Sequence, residues 1–167
     1  YSNLARLEEL RNLNLQAEET QSNELPTDFT TDIPNKQAVW LYKAGISLHR
    51  AAHCGIGWSD VLQRIVIPIF DTTGRLRYWQ ARAVMPGQTP KYTNPPVSKT
   101  DLLYRVCPSD ERCGKSRVVV TEDILSAIRI GKHIPAMSIM GTKTSDSQAA
   151  QLSEFEEVTY WLDPDKA

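Results

Sequence analysis

The last third of the chain alternates short apolar runs with helix-length amphipathic stretches, and few folds accommodate that order. Arg117–Thr121 (RVVVT) is a β-branched run of the kind that is buried on both faces. Asp123–Lys132 repeats apolar residues at helical spacing, with Ile124, Leu125, Ala127 and Ile128 inward. Ala136–Met140 predicts a second strand, Ser145–Phe155 a second helix and Val158–Leu162 a third strand. A β-α-β-α-β order predicts a parallel, doubly wound sheet, because a right-handed crossover points successive strands the same way.

The residues before it follow a different period. Arg64–Phe70 (RIVIPIF) is apolar and β-branched, Asp71-Thr72-Thr73-Gly74 is a turn, and Arg75–Val84 alternates Leu76, Tyr78, Gln80 with Arg77, Trp79, Ala81. This predicts an antiparallel hairpin over 66–84, outside the parallel sheet. Residues 36–44 predict a helix stopped by Gly45, and Ser47 caps a shorter one closed by Gly55. Four prolines make residues 85–98 an irregular loop. Leu4, Leu7 and Leu10 predict a helix over Ser2–Leu15, and the Thr-rich stretch Glu18–Pro34 reads as a linker. The resulting division is 1–34, helix and linker; 35–116, a basic α/β-hairpin subdomain; 117–167, part of a doubly wound sheet. The class is α/β, or α+β taken as a whole.

Charge is sorted along the chain. Between Arg64 and Val118 ten bases face four acids, a balance of +6, while the rest holds nine bases and sixteen acids, −7. A basic block beside an acidic one suits a polyanion path next to a cation site; a solvated mixed surface is the plainer alternative. No apolar run approaches a membrane span and no signal peptide opens the chain, so no membrane partner is expected. Three cysteines without CxxC spacing argue against a disulfide framework and for a reducing compartment, the cytoplasm (of a host, if the protein is viral). The spacing of Cys107, Cys113, Cys54, His49 and His53 does not fit a zinc ribbon, and zinc is not expected. An opening on Tyr1 and a stop at Ala167, directly after a strand-like run, point to a fragment.

Three acids sit where predicted parallel strands end. Glu122 follows RVVVT, Asp163 follows VTYWL, and Asp165 comes two residues later. Ligands of open parallel sheets bind beyond the carboxyl ends of the strands. Clustered carboxylates there suit a hard divalent cation such as Mg²⁺ or Mn²⁺. Singly, each acid reads equally as a turn or helix-capping residue. Tyr78, Trp79 and Tyr92 lie among basic residues, an arrangement that packs a half-buried surface or stacks bases.

From about Gln37 to Ala167 the sequence resembles the DnaG-type primases of bacteria and phages, which share the Toprim fold with topoisomerases. WLYKAGIS and IGW resemble the entry phrases "YL..RGIS" and "IG", and RIVIPIFDTTGRLRYWQARAV the hairpin "R..FPI" running to "GR". TPKYTNPP resembles "PKYLNSP", and Lys99 keeps the K-x4-Y spacing to Tyr104. VVVTED is similar to "VVEG", MGTKTS to "LGTS.T" and LDPDKA to "YDGDRAG". The order of the matches is the family's order, and their divergence is of a phage or prophage style.

The resemblance implies a basic subdomain followed by part of a Toprim sheet, and residue roles to go with it. Glu122 matches the catalytic glutamate, and Asp163 with Asp165 the metal-binding DxD pair. Arg82, Lys91, Tyr92, Asn94 and Lys99 match positions that handle template and nucleotide phosphates. Gly141, Thr142 and Thr144 match a loop near the metal. The implied activity is synthesis of short RNA primers on single-stranded DNA from ribonucleoside triphosphates, with a replicative helicase as partner. The sequence departs from the pattern at Asp123, where the family has glycine, at Ser126, where it often has aspartate, and at Pro164. A Toprim nuclease and a non-catalytic single-strand binding module are the competing readings.

Overall fold

The computed structural model describes residues 24–108 and 114–163. Helices α1 (Asn35–Lys43) and α2 (Leu48–His53) lead into β1 (Gly57–Ser59), β2 (Arg64–Phe70), β3 (Leu76–Ala83) and β4 (Tyr92–Thr93). Then come β5 (Tyr104–Val106), β6 (Arg117–Thr121), α3 (Ile124–Ile130), β7 (Ala136–Ser138), α4 (Asp146–Leu152) and β8 (Glu157–Trp161). The first four strands form one sheet in order β1-β2-β3-β4, and the last four a second in order β5-β7-β6-β8. Among the described residues no helix is long and apolar enough to cross a membrane. The helix expected over Ser2–Leu15 lies outside the described residues.

The expected hairpin is present: β2 and β3 pair antiparallel from Arg64↔Ala83 to Phe70↔Leu76, with a bulge between Ile69 and Phe70. Its turn is pinned by Asp71, whose Oδ1 accepts from the Thr73 backbone at 2.9 Å, the Thr73 hydroxyl at 2.6 Å and the Arg75 backbone at 3.0 Å. The Thr73 hydroxyl is the main reason that this carboxyl is held down at about 2. Gly74, at φ +81°, supplies the left-handed residue the turn needs.

The sheet is covered on both faces, which is why RIVIPIF shows no polar alternation. Ile65, Ile67, Ile69 and Tyr78 enter a core shared with Leu41, Ile46, Ile56, Tyr104 and Ile128. Val66, Trp79 and Ala81 face the other way, against Leu25, Phe29 and Leu62. Residues 24–33 are therefore not a free linker. They form a strap: Thr30 bridges Trp58 through two backbone hydrogen bonds, of 3.0 and 2.7 Å, the Trp79 indole donates to the Glu24 carbonyl at 3.0 Å, and Ile33 is buried.

The parallel β-α-β-α-β unit is also present. β6 lies between β7 and β8 and runs parallel to both. Helix α3 packs into the shared core, while α4 closes a second core of Leu103, Val118, Val120, Met137, Ile139, Leu152 and Phe155. Three features depart from expectation. β5 adds an antiparallel edge to β7, so Tyr104–Val106 belongs to the second sheet; three residues are too few to show a period. Tyr92 and Thr93, inside the proline-rich loop, pair with Arg82 and Ala81, because the prolines flank this segment without occupying it. Cys107 is disulfide-bonded and Cys54 is a free thiol. An odd cysteine count excludes full pairing only, so the argument against disulfides is corrected at Cys107.

Arg50 ties α2 to the second half of the fold. It is buried, and its Nη2 donates to the carbonyls of Gly131 (2.8 Å) and Cys107 (3.1 Å), the residues just past α3 and β5, which gives those carbonyls a partner.

Candidate active site

The register of the second sheet places one set of strand ends together. Thr121 pairs with Ser138 on one side and Trp161 on the other, so the residues that follow leave the sheet at the same edge. Glu122, the Met140–Thr142 loop and Asp163 emerge there and line one cleft of about 520 Å³. Its opposite wall comes from the first sheet and its loops: Gln80, Arg82, Lys91, Tyr92, Asn94 and Lys99.

That basic wall is built before any ligand arrives. Arg82 and Tyr92 are cross-strand partners, which puts the guanidinium 4.9 Å from the Tyr92 ring centre; Trp40, from α1, stands 5.7 Å away on its own side. Lys91 Nζ lies 5.7 Å from the same Tyr92 ring. Aromatic faces stabilise a desolvated cation and hold its direction. The Tyr92 phenol is pushed up chiefly by burial, with the Arg82 charge opposing and Asp123 adding to the shift. Arg82 Nε is buried without a hydrogen-bond partner, an unspent donor in the wall of a cleft.

Lys99 has a different place from the one its motif suggests. Its ammonium donates to the Met140 carbonyl at 2.5 Å. Met140 takes φ +52°, a left-handed conformation that costs a non-glycine residue energy and needs support. The Met140 N–H donates to the Ser138 hydroxyl at 3.0 Å, which in turn donates to the Glu122 carbonyl at 2.9 Å. Lys99 and Ser138 thus lock the loop to the strand end that carries Glu122.

On the acidic edge Asp123 is the N-cap of α3, accepting from the Ser126 backbone at 3.0 Å and the Ser126 hydroxyl at 2.6 Å. Ser126, Arg129 and Ala44 complete the lining.

Nine of the residues singled out from the sequence meet in this cleft: Arg82, Lys91, Tyr92, Asn94, Lys99, Glu122, Gly141, Thr142 and Asp163. Thr144 is not in the lining; its hydroxyl reaches the Tyr160 phenol at 3.5 Å. Asp165 lies outside the described residues. Among the described residues no group of three or more His, Cys, Asp or Glu is placed to hold a metal ion. Trp40 and Arg129 were not singled out, because their places depend on packing between elements distant in sequence; Asp123 and Ser126 stood out only as departures from the family pattern.

No family model matches this sequence, and no curated protein sequence does. Solved structures do. The zinc-binding and RNA polymerase domains of the Aquifex aeolicus primase superpose with a TM-score of 0.65 at 19% identity, over 78% of this chain and 43% of that one. The Escherichia coli primase catalytic core gives 0.60 at 20% identity, over 80% and 58%. A DnaG primase catalytic domain bound to single-stranded DNA gives 0.59 at 20% identity, over 78% and 56%. This chain spans about half the length of those structures. Over that span, the chain has the fold of the DnaG-type primase catalytic core.

Proposed function

We propose that this chain is part of a DNA-dependent RNA primase that makes short RNA primers on single-stranded DNA, in a phage or prophage replication system with a replicative helicase as partner. One observation carries the reading: a single cleft sets a preorganised basic wall opposite carboxylates at the ends of two adjacent parallel strands. A polynucleotide backbone and a triphosphate need the first, and phosphoryl transfer needs the second. The similar DnaG domain was solved with single-stranded DNA bound.

The donor set fits a hard divalent ion. Glu122 and Asp163 share the cleft, and Mg²⁺ takes one or two protein carboxylates with water and phosphate oxygens completing its shell. Glu122 and Asp163, with Asp165, would hold Mg²⁺ or Mn²⁺. When bound, such an ion supplies neutralisation of charge on the phosphoryl oxygens. Arg82 and Lys91 hold template and nucleotide phosphates without reading sequence. Tyr92 and Asn94 belong to the same wall and face the space where a nucleotide would rest. Lys99 keeps the Met140–Thr142 loop in place.

The test is a primer assay with Mg²⁺, ribonucleotides and a single-stranded template. Labelled products longer than the nucleotides supplied mean primase. Shortened template means a Toprim nuclease, and retained binding with neither product means a binding module. Binding itself has an expected salt signature. Of the cations lining the cleft, Arg82 and Lys91 are the two available to a template, and neutralising about two phosphates gives a log–log slope of about −1.4. Affinity for an oligodeoxythymidylate is expected to fall about sevenfold between roughly 50 and 200 mM salt, measured by fluorescence anisotropy. A flat response would remove the electrostatic part of the reading.

A further inference from the structure

We infer that Arg129 is the anion-binding arginine of the carboxylate side of the cleft and receives the polyphosphate tail of the incoming ribonucleoside triphosphate. The identity of that ligand rests on the primase reading above; the anion site rests on geometry.

Arg129 lies on the exposed side of α3 and lines two adjoining spaces, the main cleft and a smaller cavity of about 310 Å³ shared with Glu122, Asp163 and Trp161. Its place is built. A Cβ on Gly45 would stand 3.3 Å from the Arg129 Cδ, so the glycine turn after α1, at φ +79°, lies close against the side-chain stem. Its Nη2 donates to the Ser126 hydroxyl at 3.0 Å, and that hydroxyl donates onward to Asp123 Oδ2 at 2.6 Å. Asp123 is itself fixed as the cap of α3. Yet among the described residues no carboxylate pairs with Arg129, although Glu122, Asp123 and Asp163 line the same cleft. A guanidinium has five N–H donors. Held on one side and open on the other, it is preorganised for a phosphate, whose oxygens match its planar fork.

The differences from the family phrases then connect. Ala44 stands where "RGIS" has arginine, Asp123 where "VVEG" has glycine, and Ser126 where aspartate is frequent. Ala44 lines this cleft beside Arg129. Asp123 and Ser126 are the residues that hold the Arg129 guanidinium.

Calorimetric titration of ATP and of AMP, with Mg²⁺ present, into the full chain and its variants tests this. Arg129→Ala is expected to weaken ATP binding by about tenfold or more while AMP changes less than about twofold, since one charge-assisted contact to the tail is lost. Arg129→Lys should recover part of the loss, and Ser126→Ala should show a smaller version of it. In the primer assay the KM for ribonucleotide should rise more than kcat falls. Unchanged ATP affinity in Arg129→Ala, or equal weakening of ATP and AMP, overturns the inference, the second result marking a merely structural arginine. A wild type that makes no primers but shows the Arg129-dependent ATP preference keeps the anion site and removes the primase reading. A wild type that makes primers without that preference does the reverse.

Discussion

Alanine in place of Glu122 or Asp163 is expected to lower primer synthesis by at least about a thousandfold in the full-length protein, while template affinity stays within about twofold of the wild type. The two halves of this expectation come from two walls. Glu122 follows the last residue of β6, and Asp163 lies two residues beyond β8. Thr121 pairs with Trp161, so these neighbouring parallel strands deliver both acids to one edge. Each is held by backbone geometry, and neither contributes to a hydrophobic core, so truncation should cost little stability. The cations that would bind template, Arg82 and Lys91, are carried by the other sheet. Glu122→Gln, which keeps size and removes charge, should be nearly as inactive as Glu122→Ala; a much milder defect would point to a packing role. Product lengths on a denaturing gel and oligonucleotide anisotropy give the two readouts. Near-normal synthesis by either alanine variant would withdraw the assignment of these acids.

Why some of this was legible in the sequence follows from how local each feature is. The hairpin and the parallel unit show because RIVIPIF, LRYWQARA and RVVVT carry their pattern within a single element. The acids could be placed because the ends of parallel strands share an edge whatever the side chains do. Lys91, Tyr92 and Asn94 were found through a motif, and their register opposite β3 explains what the motif does: it puts Tyr92 over Arg82. Lys99 was found by the same route, but the motif did not show that its ammonium is spent on the Met140 carbonyl. Arg129 left no signal, since an outward arginine in the last turn of a helix is ordinary. Its meaning comes from the Gly45 turn lying close against its stem. β1 and β5 are three residues each, too short to show a period, and are strands only through their pairing with β2 and β7. The strap reads as a linker because its polar, Thr-rich composition and two prolines outweigh three apolar residues spaced by four; Leu25 and Phe29 cover one face of the first sheet and Ile33 enters the shared core, contacts set by distant elements.

That strap gives the largest expected effect on stability. Gly57→Ala is expected to destabilise the fold by about 3 kcal/mol, the upper part of the range for overpacking. For a chain of this size that is a fall of roughly 6–12 °C in Tm. The reason is a lack of room. A Cβ on Gly57 would lie 2.2 Å from the Thr30 carbonyl oxygen and 2.4 Å from Phe29 Cε2. The Thr30 oxygen cannot retreat cheaply, because it accepts the Trp58 N–H at 2.7 Å. If the strap lifts, Val66, Trp79 and Ala81 lose their cover, and Trp79 loses its acceptor at Glu24. Asp28 would also leave Ser59 and the Val61 N–H, which it accepts at 2.9 and 2.8 Å. The Val61 contact is the main cause holding the Asp28 carboxyl below the ordinary range. Its stabilisation is therefore present above that ordinary range and lost as pH falls through the lowered value, so the melting difference between wild type and Gly57→Ala should narrow in acid. Gly74→Ala is the control: φ is +81° but nothing lies within 4 Å of an added Cβ, so only the backbone cost of about 1 kcal/mol applies. A Gly57→Ala protein that melts as the wild type does, or a Gly74→Ala protein that suffers more, would show that the strap is not held where Thr30 and Trp58 meet.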